Sequence, residues 1–552
     1  MAMEPPSNSS RGGWKSAIFI IAVEVAERFA YYGVSANLMM YLTKVFHQPM
    51  ATAARNVNNW IGVSAVFPVL GGFLADSYVG RFRMILASTS IYLLGLISLT
   101  IAVSVVPLQF RHTVFFTSLY ILAVGEGGHR PCVQTFAADQ FDDSNAEEKA
   151  AKSSFFNWWF VGIVFGATMA VLVVVYIEDH IGWSVGYAIL SAAVAAALIV
   201  FLVGSGSYRR EVPVGSPFTR LAQVAVAAAR KQRLSAKEAR GVCNEEEDSN
   251  LYGGRILTST ARFRFLDKAA MIDGEDALRE VRNPWRLCSI NQIEETKLVL
   301  QLIPIWLTCL MFAVVLAQVN TYFTKQISTL RLHLTATFQV PPASFQVFPG
   351  LTILISIVLY ERLLVPSFRR LTGHPSGITI LQRIGTGLVL SILTMSVAAL
   401  LESNRLRVAR QHGLLDQPTA VLPMAAWWLI PQYVMMGFCD VFTVIGLQEL
   451  FYDQMPPGMR SLGAAAYLTV TGVGNFMSSI LITIVKWISS KAGQPWLGDN
   501  LNRAKLENFY WLLAAMSAAN FCGYLFVTNK FLYKRIEGEK KEMGLLEDPI
   551  YN

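Results

Sequence analysis

Three ionisable residues stand inside an apolar run near the start of the chain: Glu24, Glu27 and Arg28, in the stretch Glu24-Val25-Ala26-Glu27-Arg28-Phe29-Ala30-Tyr31-Tyr32-Gly33. The run begins near Ile18 and continues through Met39, Met40 and Leu42, long enough to cross a bilayer as a helix. At roughly 100° per residue, the spacing i, i+3, i+4 turns all three charges to one helix face. Ionisable groups in such surroundings are costly unless they are paired or face water. Two carboxylates beside one guanidinium leave a negative charge in excess, and a proton bound by one carboxylate removes it. The spacing therefore predicts a proton switch. The alternative reading is a structural ion pair that fixes this helix to a neighbour.

Other charges recur at apolar positions further along. Gly71-Gly72-Phe73-Leu74-Ala75-Asp76-Ser77-Tyr78-Val79-Gly80-Arg81 closes the second apolar run, and the Asp76–Arg81 pair is expected to act as a gate at the cytosolic mouth; a helix-capping turn is the alternative. The fourth run contains Gly125-Glu126-Gly127-Gly128-His129-Arg130-Pro131, where glycines and a proline loosen the helix around a buried cation. Arg130 needs an anion. Glu126 could supply it at i, i+4, but the expected partner is Glu449, in Gly446-Leu447-Gln448-Glu449 of the tenth run, across a cavity. Asp440 is a further acid in that run, and His129 reads as a packing or hydrogen-bonding residue.

The elements that must position these residues are all apolar. Of the 552 residues 53% are hydrophobic and only 15% charged, with a mean hydropathy of +0.42, which excludes an ordinary soluble protein and indicates a polytopic membrane protein. Apolar runs near 16–43, 57–77, 83–106, 114–136, 154–176 and 182–204 form a first six. Runs near 298–323, 345–367, 378–401, 425–451, 460–487 and 508–531 form a second. The expected fold is all-α, with twelve transmembrane helices in two halves, the plan of the major facilitator fold, and a site between the halves near the midplane. The corresponding boundaries are a cytosolic N-terminus at 1–15, a six-helix bundle at 16–205, a cytosolic linker at 206–295, a second bundle at 296–531 and a cytosolic tail at 532–552.

The net charge of +8 is assigned to loops against anionic lipid rather than to nucleic acid, since no basic stripe with interleaved aromatics is present. Arg81, Arg83, Arg369, Arg370, Lys534, Arg535, Lys540 and Lys541 place both termini in the cytosol, whereas Arg405, Arg407 and Arg410 count against it. Six scattered cysteines without CxxC spacing indicate neither disulfides nor a metal site, and no cofactor is expected. The polar N-terminus lacks a signal-peptide core, and the Asn8-Ser9-Ser10 sequon is expected to face the cytosol, unused. Within the linker, Phe218, Leu221, Val224, Ala225 and Ala228 recur at helical spacing beside Arg220, Arg230, Lys231 and Arg233, which reads as a lateral helix or a solvated basic segment. The acidic run Glu245-Glu246-Glu247-Asp248 cannot lie in the membrane.

These residues carry a resemblance. The whole chain resembles the proton-coupled oligopeptide transporter family and, within it, the plant nitrate/peptide transporter branch. The likeness rests on Glu24 to Gly33, Gly71 to Arg81, Gly125 to Arg130, Phe155-Phe156-Asn157-Trp158, Pro304-Ile305-Trp306, Gly446 to Glu449 and Asn508-Phe509-Tyr510-Trp511. Phe265 to Ala270 and Asn283 to Cys288 of the linker point to the plant branch. The resemblance implies that Glu24, Glu27 and Arg28, with Glu449, couple protons, and that Arg130 and Glu449 form a salt bridge between the halves.

Departures bear on substrate. Arg130 stands where the family usually has lysine, and arginine stays protonated. Ser35 replaces the second arginine of peptide transporters, Ala317 their helix-7 acid, and Val164 an asparagine; Leu316 stands where some nitrate-transporting relatives have histidine. What remains for substrate is Arg28, Tyr31, Tyr32 and Arg130, which suits a monovalent or amphipathic organic anion. The resulting expectation is a proton-coupled symporter of nitrate or a small organic solute, in the plasma or vacuolar membrane, with protons, a small molecule and the bilayer as its partners. A di- or tripeptide symporter and a nutrient receptor retaining the fold are the alternatives; a membrane enzyme would need clustered His, Ser or Cys chemistry that the apolar runs lack.

Overall fold

The computed structural model describes residues 12–142, 146–210, 217–232, 260, 262–274, 276, 283–333, 339–364, 366–367, 370, 378–455 and 460–531. The Asn8 sequon, the acidic run at 245–248, Cys243, Arg233, Arg369 and the basic tail from Lys534 to Lys541 lie outside the described residues.

Among the described residues, twelve long helices fall into two sets of six. The first set is α1 (Gly13–Lys44), α2 (Met50–Leu74), α3 (Arg81–Ser104), α4 (Leu108–Ala138), α5 (Ala146–Met169, extended through a π turn to His180) and α6 (Trp183–Val203). A shorter helix, α7 (Pro217–Arg230), follows in the connecting segment. The second set is α8 (Ile290–Leu316), α9 (Val347–Leu359), α10 (Ile380–Gln411), α11 (Ile430–Gln454), α12 (Arg460–Lys491) and α13 (Leu506–Thr528). Ten helical segments are long and apolar enough to cross a membrane. The two that fall short are α1 and α4, the helices that carry Glu24, Glu27, Arg28, Glu126 and Arg130. At about 1.5 Å per residue, even these span the hydrocarbon layer, and the protein is a multi-pass membrane protein.

The two sets repeat one packing plan. In the first, α1 packs on α5 and α6, α2 on α4, and α3 on α4 and α6. In the second, α8 packs on α12 and α13, α9 on α11, and α10 on α11 and α13. Even the irregularities match, since α2 and α9 both finish in a π turn, at Ala75–Val79 and Tyr360–Leu364. Local sequence sets several boundaries. Ser289 caps α8 by accepting the Gln292 N–H, and Thr379 with Gln382 forms a capping box on α10. Gly80 turns the chain from α2 into α3 at φ 82°, a conformation that a side chain would strain.

Hydrogen bonds that join the halves gather at the distal end of the bundle, the end at which α1 finishes. Asp499 accepts the Met50 N–H at 2.8 Å, Lys325 reaches Thr43 Oγ1 at 3.2 Å, and Gln346 donates to the Ala36 carbonyl at 3.0 Å. Deeper along the interface α2 packs on α12, with Asn58 donating to Ser478 at 3.1 Å. A Cβ at Gly472 would lie 2.9 Å from the Gly62 carbonyl oxygen, so the glycine is what lets the two helices approach.

The distal cap corrects one reading of the sequence. Arg405 is not a loop charge, because α10 runs on to Gln411 and buries it completely. Its guanidinium grips Glu402 in a two-pronged pair (2.7 and 2.8 Å) and donates to Asn502 Oδ1 (2.8 Å) and the Leu501 carbonyl (2.7 Å), while Gln326 donates to Glu402 at 2.6 Å. Of the three basic residues counted against a cytosolic N-terminus, only Arg407 and Arg410 are exposed. Glu402→Ala would leave a fully buried cation, a loss of about 3–5 kcal/mol. Thermal denaturation of the detergent-solubilised protein should register it, with a smaller loss in Glu402→Leu/Arg405→Met, which leaves no orphan charge.

In the connecting segment, α7 buries Val224, Ala227 and Ala228 against Leu266, Ala269, Ala270, Cys288 and Ile293. Lys231, beyond its end, pairs with Asp276 at 2.5 Å. Val224 and Ala228 of the expected stripe are thus covered by the connecting segment itself and the start of α8, Phe218 meets Phe73 edge-on at 5.7 Å, and Ala225 is exposed.

Candidate functional site

Midway along the buried helix α1, Arg28 bonds both acids of its own face: Nη2 lies 2.6 Å from Glu27 Oε2 and Nε 3.2 Å from Glu24 Oε1. All three side chains are buried. Residues four apart on a helix are neighbours, so the Glu24–Arg28 contact follows from local geometry alone. Tertiary packing adds α4. His129 sets Nε2 3.9 Å from Glu24 Oε2, and its Nδ1 is 2.9 Å from Thr89 Oγ1 of α3. A small cavity lined by Glu27, Thr89, Tyr92 and His129 adjoins the pair.

Arg130, the next residue of α4, pairs with Glu126 one turn before it at 3.1 Å. The Arg28 and Arg130 guanidinium carbons are each 5.6 Å from the Tyr31 ring centroid, and that ring stacks on Trp60 at 5.7 Å and meets Tyr32 edge-on at 5.4 Å. The site thus gathers three carboxylates, Glu24, Glu27 and Glu126, around two guanidiniums. With His129 neutral, full ionisation leaves one negative charge in excess, and a single proton neutralises it.

The structure does not join every pair the sequence suggests. Arg130 and Glu449 are not bonded in this conformation, because Arg130 takes Glu126 on its own helix and Glu449 takes Arg383 of α10 at 3.1 Å. They sit on opposite halves, away from the distal end where the halves are bonded. Arg130 keeps 23% and Glu449 44% side-chain exposure, so both face open space. Arg81 is shared between Asp76 (3.2 Å) and Asp139. Through Asp139 the expected gate pair also ties the α2–α3 turn to the end of α4, inside one half. Of the positions that differ from peptide transporters, Ser35 and Ala317 are both buried.

The sequence reads His129 only as a packing or hydrogen-bonding residue and gives Arg383 no role. A lone histidine in an apolar run carries no spacing signal, and Arg383 meets Glu449 only through tertiary packing. Glu24, Glu27 and His129 also offer ligand atoms within 4.8 Å of one another, but the Arg28 guanidinium lies within 3.2 Å of both carboxylates, and a fixed cation so close opposes a metal ion there.

Two matched six-helix halves around a buried cluster of ionisable groups define a transporter of the major facilitator architecture. A family model described as the POT family matches residues 82–497. Protein NRT1/PTR FAMILY 5.4 of Arabidopsis thaliana is 52% identical over 97% of both chains, and NRT1/PTR FAMILY 5.10 of the same plant is 46% identical over 97% of this chain and 96% of its own. Among solved structures, an auto-inhibited POT family peptide transporter superposes with a TM-score of 0.71 at 21% identity, covering 94% of this chain and 97% of its own; the POT family transporter PepTSo gives 0.68 over 93% and 98%, also at 21%. The chain belongs to the POT family, in its plant NRT1/PTR branch, and is a transporter rather than an enzyme.

Proposed function

We propose that the protein is a proton-coupled symporter of nitrate or a small organic anion. The observation that carries this reading is the cluster of three carboxylates and two guanidiniums with one negative charge in excess. A proton bound there cancels the charge that would repel an anion, and the partly exposed face of Arg130, beside Tyr31 and Tyr32, then attracts one. Arg28 is buried beside two acids, whereas Arg130 pairs with one and keeps part of its side chain exposed, so Arg130 is the cation offered to solute. Rocking of the halves, closed here at the distal end, carries proton and anion together. In the opposite conformation Arg130 exchanges Glu126 for Glu449, and the Asp76–Arg81–Asp139 brace keeps its half rigid through the movement. With the N-terminus cytosolic, the distal end faces the cell exterior or the vacuolar lumen.

Peptides are the poorer fit, since Ser35 and Ala317 supply neither the second cation nor the acid that a zwitterion's two ends require. Each missing charge-assisted contact in a buried site is worth about 1.5–3 kcal/mol, a tenfold loss or more. Reconstitution in liposomes under an imposed pH gradient, with nitrate, dipeptides and a panel of organic anions, tests the assignment. Anion uptake against which dipeptides compete weakly is the expected result. Tight competition by dipeptides would reverse the substrate assignment, and uptake of no solute by folded protein would favour a receptor.

A further inference from the structure

The closed distal end carries a second concentration of positive charge. A groove of about 480 Å³ lies between the start of α2 and the last turns of α12, lined by Arg55, Thr483, Lys486, Trp487 and Lys491 among others, with no acid in its lining. Arg55 donates to the hydroxyls of Thr483 (3.2 Å) and Thr52 (3.4 Å), which orient its charge without cancelling it. The Lys491 ammonium lies 4.0 Å over the Trp487 ring. Asp499, in the loop that follows α12, accepts the Met50 N–H.

Next to this basic groove runs an apolar stripe. Ile480, Ile484, Trp487 and Ile488 are 59, 47, 60 and 55% exposed, and their spacing of i, i+4, i+7, i+8 places them on one face of α12. An exposed stripe of this kind on a membrane helix faces acyl chains, and a tryptophan with lysines at its end marks the headgroup level. A soluble anion would gain only from the three cations. A phospholipid gains from the cations and the stripe together.

We propose that the groove binds the phosphate headgroup of an anionic phospholipid, with its acyl chains along Ile480, Ile484 and Ile488. Arg55 belongs to the first half, Lys486 and Lys491 to the second, so the bound headgroup bridges the halves at the end that is closed here. A ligand that fits only this arrangement stabilises it against opening. The site is distinct from the Arg28–Arg130 cluster, and its occupancy does not depend on which solute is carried.

The full chain, purified in detergent, is titrated with phosphatidylglycerol, phosphatidylcholine and glycerol 3-phosphate, with lipid retention read by native mass spectrometry and stability by thermal denaturation. Phosphatidylglycerol should be retained and raise the midpoint, phosphatidylcholine should bind more weakly, and glycerol 3-phosphate should do neither. With about 1 kcal/mol of lipid attraction per basic residue, Arg55→Gln/Lys486→Gln/Lys491→Gln should weaken phosphatidylglycerol binding roughly a hundredfold. Lys486→Gln/Lys491→Gln, which leaves the Arg55 contacts in place, should weaken it roughly thirtyfold. Arg407→Gln/Arg410→Gln removes exposed cations at the same end but outside the groove and should leave it unchanged. Equal phosphatidylglycerol binding by wild type and the groove variants would overturn the proposal. So would an equal loss in the Arg407/Arg410 variant, or stabilisation by glycerol 3-phosphate as large as by the lipid.

Discussion

Glu24→Gln and Glu27→Gln should each abolish proton-driven accumulation while exchange of solute across the membrane persists. Both carboxylates bond Arg28 within 3.2 Å in a buried setting, and removing either one cancels the excess negative charge without a proton. Glutamine keeps the shape and hydrogen-bonding capacity but never takes up a proton. One proton per monovalent anion gives about tenfold accumulation per pH unit of gradient, since a factor of ten corresponds to about 1.4 kcal/mol. Each variant should fall to the equilibrium ratio at equal protein in the membrane. Accumulation unchanged in both would leave only a structural ion pair.

The second large effect concerns Arg130, Glu126 and Glu449. If Arg130 trades Glu126 for Glu449 between conformations, then Arg130→Ala and Glu449→Ala each strand a charge in one state of the cycle. Both should cripple transport. The double variant should be no worse than the poorer single, with a coupling free energy of about 0.5–3 kcal/mol in a double-mutant cycle on transport rate. Arg383 sharpens the expectation, because it holds Glu449 at 3.1 Å here and must release it for the bridge to form. Simple additivity would mean that the two residues never meet, and Glu126→Ala, rather than Glu449→Ala, would then be the variant coupled to Arg130.

What could be seen in the sequence follows from the range of the interactions. Glu24, Glu27 and Arg28 meet through helix periodicity, so their cluster was legible from spacing. The same periodicity offered Glu126 to Arg130, and in this conformation the local partner holds it while the other half stands apart. Asp139 joined the Asp76–Arg81 pair through the end of α4, a contact that no spacing reports. Arg405 reads as a loop charge because it stands among polar residues beyond the apolar run, and its partners Thr329 and Asn502 are supplied by distant segments. Likewise the basic groove unites Arg55 with Lys486 and Lys491, more than 400 positions away. The twelve-helix plan, by contrast, was written in hydropathy, except that α1 and α4 gave up apolarity to hold the charges.

The coupling of one proton to one anion is tested most directly by substrate-induced proton entry. Proteoliposomes loaded with a pH-sensitive dye, without an imposed gradient, receive the transported anion on the outside. Interior acidification in step with uptake, absent in Glu24→Gln and Glu27→Gln, is the predicted result; anion entry with no change of interior pH would contradict it.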